Sequence, residues 1–349
     1  MRQRMWLPAL ATVLLGISEL AAGGQEGQGI AIRFAPAAGQ RYYIKTVVQQ
    51  DVTRLYMGAE EKGWYCQGFG EELEVLRVED DGSRTIRSTY RWIKYERQGV
   101  GGELVYDSSK ADEPVPNDCL GYAAMIGEGF VFKVAGDGGI SGLAGLKAMA
   151  QRIRAKLPAG ELGDEFMREV RRYVDDKTVK EMLETGFGLY PDQPVAVGGS
   201  WSTRVEQFQE GGGIRQSQLT LEKAEDGVGE ISIRSLFSPN PKAEPVDWGD
   251  VRARFELTGT EQGRIRLDLE TGIGLGTKLE HELTGYVVLV NPERPTQEVP
   301  IAMTVKGTTA IEVGRYEQQE QVERDVEQYV LNKSSRRRVV HVDQRLVGR

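Results

Sequence analysis

One pattern occurs twice in this chain, and it restricts the fold more than composition does. Gly39-Gln40-Arg41-Tyr42-Tyr43 opens an alternating stretch, Asp81-Gly82 makes a turn and Ile86-Arg87-Ser88 follows. Gly198-Gly199-Ser200-Trp201 opens a second such stretch, followed by Asp226-Gly227 and Ile233-Arg234-Ser235. The offset falls from 159 residues at the opening glycines (39 to 198) to 145 at the turns (81 to 226), the drift that loop insertions in the first copy produce. Two copies of one β-rich unit are expected to meet around a shared interior, so the architecture is more legible than the chemistry.

Within the first copy, Tyr42 to Leu55 interleaves β-branched and aromatic residues with polar ones, as a strand does. Leu73 to Val78 and Thr85 to Tyr95 flank the Asp-Gly turn and predict a hairpin, because Asp-Gly readily takes the positive φ angles that match strand twist. Strict alternation then puts Ile86, Ser88, Tyr90 and Trp92 on one side of the second strand and Arg87, Thr89 and Arg91 on the other. Residues 97–119 are rich in Gly and Pro and predict a loop or short edge strand, and Gly127 to Val134 a further strand. After Gly136-Asp137-Gly138-Gly139 the period changes. Leu143, Leu146, Met149, Ile153 and Leu157 predict one helix, Phe166, Met167, Val170, Tyr173 and Val174 a second, and Val179, Met182 and Leu183 a third. The second copy repeats the hairpin, and Val251–Leu257, Arg264–Leu269, Thr277–Val290 and Val299–Val313 extend it as a meander of four strands. Val322, Val326, Tyr329 and Val330 form a helical stripe before a basic run to Arg349.

The resulting expectation is an α+β chain, mainly antiparallel β. Residues 1–24 form a signal peptide, 25–140 the first repeat, 141–190 a helical segment, 191–313 the second repeat and 314–349 a C-terminal helix and basic tail. The two repeats form a curved sheet or open half-barrel with the helices packed on its concave face. The runner-up is two separate β domains joined by a helical linker.

Export follows from the N-terminus: Arg2 and Arg4, the apolar run Met5 to Ile17 and the small residues Ala21-Ala22-Gly23-Gly24 have the order of a secretory signal peptide. No later run approaches the ~18 apolar residues of a spanning helix, so a periplasmic or extracellular protein without a membrane span is expected. Removing Arg2, Arg4 and Glu19 from the 44 basic and 52 acidic residues deepens the net charge from −8 to −9. Such a chain gains nothing from the counterion release that drives nucleic-acid binding, which argues against DNA or RNA as partner. The local exception is the tail, where Lys333, Arg336, Arg337, Arg338, Arg345 and Arg349 face Asp343 alone. It reads as a solvated segment or as a contact for an envelope protein or anionic surface.

Residue chemistry for catalysis is sparse. With only His281 and His341, neither a Ser-His-Asp system nor a histidine-rich metal site is expected. Gly136-Asp137-Gly138-Gly139 lacks the full phosphate-cradling spacing, so no cofactor is expected. A carboxylate-based hydrolase could draw on Glu79-Asp80-Asp81, Glu113 with Asp118, or Glu225-Asp226, although the first and last fall on predicted turns. Cys66 and Cys119, both in the first copy, are either bridged in an oxidising compartment, which is the favoured reading, or buried free thiols. Aromatics at strand spacing mark the interior. Tyr90, Trp92, Trp201 and Phe208 are the candidates to line a ligand pocket, because a sheet of some ten strands tends to curl around a volume that must be filled.

Three further stretches carry a resemblance: Tyr106-Asp107-Ser108-Ser109, Gly127-Glu128-Gly129-Phe130 leading to Val134-Ala135-Gly136, and Pro191-Asp192-Gln193-Pro194-Val195-Ala196-Val197-Gly198-Gly199-Ser200-Trp201. Over residues 30–313 the chain resembles an uncharacterised family of secreted bacterial proteins, a domain of unknown function with two β-rich halves. The resemblance implies the fold and no activity. More distantly, the expected architecture is similar to the half-barrel carriers of lipoproteins or lipids in the periplasm. The functional expectation is a non-catalytic exported protein that binds an apolar or lipid-like ligand in the cell envelope. The alternatives are a structural or interaction protein without a small ligand, and the carboxylate-based hydrolase.

Overall fold

A computed structural model describes residues 29–326 apart from 100–101, 111, 189, 208–212, 244, 249–250 and 292–293. The expected signal peptide, the basic tail, Phe208 and His341 therefore lie outside the described residues.

The first copy supplies β1 (Arg41–Tyr56), β2 (Ala59–Val78), β3 (Arg84–Gly99), β4 (Leu104–Asp107), β5 (Gly129–Val134) and β6 (Ile140–Ala144). A short helix, α1 (Leu120–Met125), interrupts this series, and α2 (Leu146–Lys156), α3 (Glu161–Val170) and α4 (Asp176–Phe187) follow it. The second copy supplies β7 (Ser200–Gln207), β8 (Gly213–Glu225), β9 (Val228–Pro239), β10 (Val246–Trp248), β11 (Val251–Asp268), β12 (Gly274–Asn291) and β13 (Arg294–Arg315). All thirteen belong to one sheet of order β6-β5-β3-β2-β1-β13-β12-β11-β9-β8-β7, with β4 pairing β3 and β10 pairing β11. The sheet is antiparallel, curved and open, ending at β6 and β7. Its seam is the pairing of β1 with β13 over fourteen residue pairs, from Tyr42 opposite Arg315 to Leu55 opposite Ala302. That seam fuses the two copies and rules out the arrangement of two separate β domains.

The repeated motif is repeated in space. Asp226 (φ 51°) and Gly227 (φ 76°) both take the positive φ that closes β8 onto β9 in a two-residue turn. Each copy also skips one residue of the strand before its turn, Leu76 in β2 and Glu222 in β8. Ile86 and Ser88 in one copy, and Ile233 and Ser235 in the other, project to the same concave face.

That face carries the main core. Phe69, Tyr90, Phe130 and Phe132 of the first copy pack with Leu146, Met149, Ile153, Phe166, Val170, Tyr173 and Val179 of the helical segment, and the cluster continues into Leu219, Ile233, Ile265 and Leu279 of the second. Gln67 donates to the Tyr173 hydroxyl at 3.0 Å, tying the helices to β2. Glu128 holds α2 through Arg152 at 2.6 Å and Lys156 at 2.8 Å. The segment before β1 stitches the upper rim, Phe34 donating its backbone N–H to Gly136 and Ala35 to Thr271, and after α4 the Tyr190 hydroxyl donates to the Gly272 carbonyl.

Two sequence expectations change, and a third element gains a position. Val251–Leu257 and Arg264–Leu269 are parts of one eighteen-residue strand, because Gly259 and Gly263 stay in register opposite Leu283 and Leu279. Residues 140–144, with Leu143 expected to open the first helix of the segment 141–190, form an edge strand, and Gly136-Asp137-Gly138-Gly139 is the turn of its hairpin with β5. The C-terminal helix, residues 319–326, lies on the convex face. There Val326 packs with Val47, Cys66 and Trp92.

Candidate functional site

The concave face is organised by a row of directly opposed residues that crosses nine strands. Thr203 on β7 faces Ser217, Ser217 faces Ser235, and Ser235 faces Glu261. Glu261 faces His281, His281 faces Gly307, and Gly307 faces Gln50 across the seam. Gln50 then faces Tyr65, and Tyr65 faces Arg97 on β3. Every side chain in this row has a polar atom, yet none exceeds 8% exposure. Because side chains alternate, the neighbouring rows two residues away share the same face. On the helix side that row includes Leu219, Ile233, Leu279 and Val48. On the other side it includes Phe237, Leu283, Val305 and Val52. A buried polar belt thus divides two apolar floors.

Beyond the belt, the second floor is a cluster of Val52, Tyr65, Ala253, Phe255, Leu257, Leu283, Val287, Met303 and Val305. Among the described residues it is built from strand side chains, without the helices that cover the first.

The belt is strongest in the second copy. Arg215, 0% exposed, comes from the row below and pairs through Nη2 with Glu261. Its Nε donates to Ser235 Oγ at 3.2 Å, Ser235 donates to Glu261 Oε1 at 3.2 Å, and the hydroxyls of Ser217 and Ser235 meet at 2.9 Å. Burial draws the Arg215 guanidinium down while Glu261 holds it up. Burial, reinforced by the Arg215 charge, lowers His281 to about 4, so its imidazole is neutral at neutral pH. The Gln50 amide nitrogen stands 3.4 Å from His281 Nε2, which in that form can accept a hydrogen bond. Gly307 is required beneath this ring, since a Cβ there would meet the imidazole. Among the described residues, Arg215 Nη1 and Thr203 Oγ1 are polar atoms of this region without a hydrogen-bond partner.

The four aromatics proposed from sequence to line a pocket are not brought together. Tyr90 packs against Phe69 and Tyr173 under the helices. Trp92 is on the convex face: the pairing of β2 with β3 passes from Gly70–Trp92 to Glu71–Tyr90, skipping Arg91, and this bulge inverts the phase. There its indole donates to Asp107 at 2.8 Å and lies under the Lys45 ammonium at 4.2 Å. Trp201 flanks the main core from the β7 edge, one position from the belt at Thr203. Phe208 lies outside the described residues. The disulfide is also corrected. Cys66 and Cys119 are free and buried, with Cys66 on the convex face and Cys119 in the concave core, so the sheet stands between them. Burial raises both thiols to about 12.

Of the acidic groups considered for hydrolysis, Glu79, Asp81 and Asp118 have structural partners. Glu79 accepts from Arg77 and Thr85, Asp81 from Ser83 and Lys133, and Asp118 from Arg97. Sequence reasoning missed the belt because its members are eight single polar residues and Gly307 on nine strands, unrelated by spacing. Only registers align them.

No curated protein matches the chain. Among solved structures it is similar to lipovitellin, described for its lipid–protein interactions, at 7% identity with a TM-score of 0.44, covering 80% of this chain and spanning a quarter (25%) of that one. It is also similar to DynF of the dynemicin biosynthesis pathway of Micromonospora chersina (7% identity, TM-score 0.18, covering 88% and 96%). A third is an outer membrane channel from Pseudomonas putida F1 (7% identity, TM-score 0.24, covering 84% and 100%). None of the three bears on what this chain binds. A family model matches residues 81–273, from the first Asp-Gly turn to the end of β11 and its following turn, which is more than half of the chain. With two β copies built around a shared concave face and this match across them, the chain belongs to the family of unknown function DUF6263.

Proposed function

We propose that this chain is a non-catalytic exported protein that holds an apolar or lipid-like ligand against the concave face of its sheet, in the periplasm or outside the cell. The observation that carries the reading is the second apolar floor, where Phe255, Leu257, Leu283, Val287 and Met303 form a cluster beyond the reach of the helical segment. Curved sheets with an apolar inner face and a few convergent polar groups are a common design for ligand sites. Export is supported by the charged, apolar and small-residue order of residues 1–24. The basic run after Asn332 supports contact with an anionic envelope surface.

Protein purified gently from its exported form is expected to carry extractable lipid, visible as added mass by native mass spectrometry. Stripping that lipid is expected to lower Tm, because a ligand at a hundred times its Kd stabilises the folded state by about 2.7 kcal/mol. A clean apo mass and no stabilisation by any lipid mixture favour the second reading, a structural or interaction protein. That reading is supported by the main core, in which α2, α3 and α4 already fill the concave face over the first copy.

A further inference from the structure

The belt has a polarity that narrows what the proposed ligand would be, and the inference rests on the ligand-binding reading above. Burying a polar atom without a partner costs free energy, and an unpaired charge costs more. Arg215 satisfies Glu261 with Nη2 and Ser235 with Nε and lies 5.8 Å from the centre of the Phe237 ring, leaving Nη1 at 0% exposure without a hydrogen-bond partner among the described residues. Thr203 is 4% exposed and its hydroxyl also has no partner. The two are diagonal neighbours on one face, since Thr203 pairs with Ser217 and Arg215 with Val205. Such positions are roughly 7–8 Å apart, a span that one oxygen-bearing group between the side chains can bridge. Apolar floors lie on both sides of this point, with Leu219 and Ile233 above and Phe237 below.

We propose that Arg215 Nη1 and Thr203 Oγ1 hold the head of an elongated apolar ligand, and that this head is an uncharged oxygen group, an ester carbonyl or a hydroxyl. Charge decides against a carboxylate or phosphate. Glu261 already neutralises Arg215, so an anionic head would bring an uncompensated charge into a dry interior. An ester or hydroxyl satisfies the donor without that penalty, and its chain lies on the apolar floor.

The test uses the full mature protein and three fluorescent polyene probes: diphenylhexatriene, cis-parinaric acid methyl ester and cis-parinaric acid. The wild type is expected to bind the ester at least ten-fold more tightly than either the hydrocarbon or the acid at pH 7.5. Thr203→Val, which keeps the side-chain shape, and the double variant Arg215→Met with Glu261→Met, which removes the ion pair without stranding one charge, are each expected to lower ester affinity at least five-fold. Both should leave hydrocarbon affinity within two-fold, and that unchanged binding shows the variants fold. If head group makes no difference, or if the ester is held equally by wild type and both variants, the head-group assignment is overturned while ligand binding stands. If no probe binds the wild type, the ligand reading itself fails and this inference with it.

Discussion

Between Gly70 and Glu71 the ladder to β3 skips Arg91, and that one residue sends Trp92 to the convex face and Tyr90 to the concave one. The convex face is shaped to receive the indole. Gly68 lies directly beneath it, and a Cβ on Gly68 would come within 2.5 Å of the ring. Gly68→Ala is therefore expected to cost about 1–3 kcal/mol, the usual range for overpacking, by urea unfolding. In a Trp92→Leu background the same substitution should cost much less, and equal costs in both backgrounds would refute the contact. The thiols give a second residue-scale test. Burial holds both near a pKa of 12 and the sheet separates them, so native protein prepared without reductant should not react with a thiol reagent. Denatured protein should titrate two thiols; none would mean a bridge.

At the scale of elements, much was legible and the exceptions have identifiable causes. The Asp81-Gly82 and Asp226-Gly227 turns announced both hairpins, because Gly82, Asp226 and Gly227 take the positive φ that such residues supply. The 3.6-residue period of Leu146, Met149 and Ile153 announced α2. Strand phase beyond Arg91 was not legible, since a bulge leaves no mark on apolar alternation. The length of β2 was not legible either: Gly63, Gly68 and Gly70 resemble breakers but are accommodated by aromatic rings lying over them, Tyr65, Trp92 and Tyr43. The belt was invisible for a related reason, since Thr203, Glu261 and Gln50 become neighbours of a single row only through long-range pairing. The C-terminal helix was foreseen from Val322 and Val326, but not the face it covers. Val326 is fully buried against Trp92, Val47 and Cys66. Val326→Ala is expected to cost about 2 kcal/mol and to speed labelling of Cys66 while Cys119 stays protected. The exposed Glu320→Ala on the same helix should change stability by less than about 0.5 kcal/mol. Equal labelling of the two cysteines would place the helix elsewhere.

Over the whole molecule, the β1–β13 seam makes the interior a single shared space, and His281 and Gln50 meet across it from opposite copies with Gly307 between them. Folding therefore buries a titratable ring at the junction, and stability should depend on pH through it. Burial first and Arg215 second hold His281 near 4 in the folded chain, against about 6.5 when unfolded. Above pH 6.5 both states keep the ring neutral and nothing is gained or lost. As pH falls below 6.5 the unfolded chain takes up a proton that the folded chain refuses, so stability declines until the pH reaches about 4 and then levels. Full passage through that window is worth about 3 kcal/mol, and the part between pH 7 and 5 about 2 kcal/mol. Glu72 and Glu128, which their arginine and lysine partners hold below the ordinary carboxylate value despite burial, add to acid lability only at lower pH. Glu71, Glu181 and Glu312, which burial raises above the ordinary carboxylate value, act in the opposite direction as pH falls, so the histidine is isolated by comparison with a variant that lacks it. Between pH 7 and 5 the wild type should lose about 2 kcal/mol more by urea unfolding than His281→Gln, which keeps a polar partner for Gln50 but cannot titrate. Parallel profiles for the two proteins would mean that His281 is not held neutral at the seam.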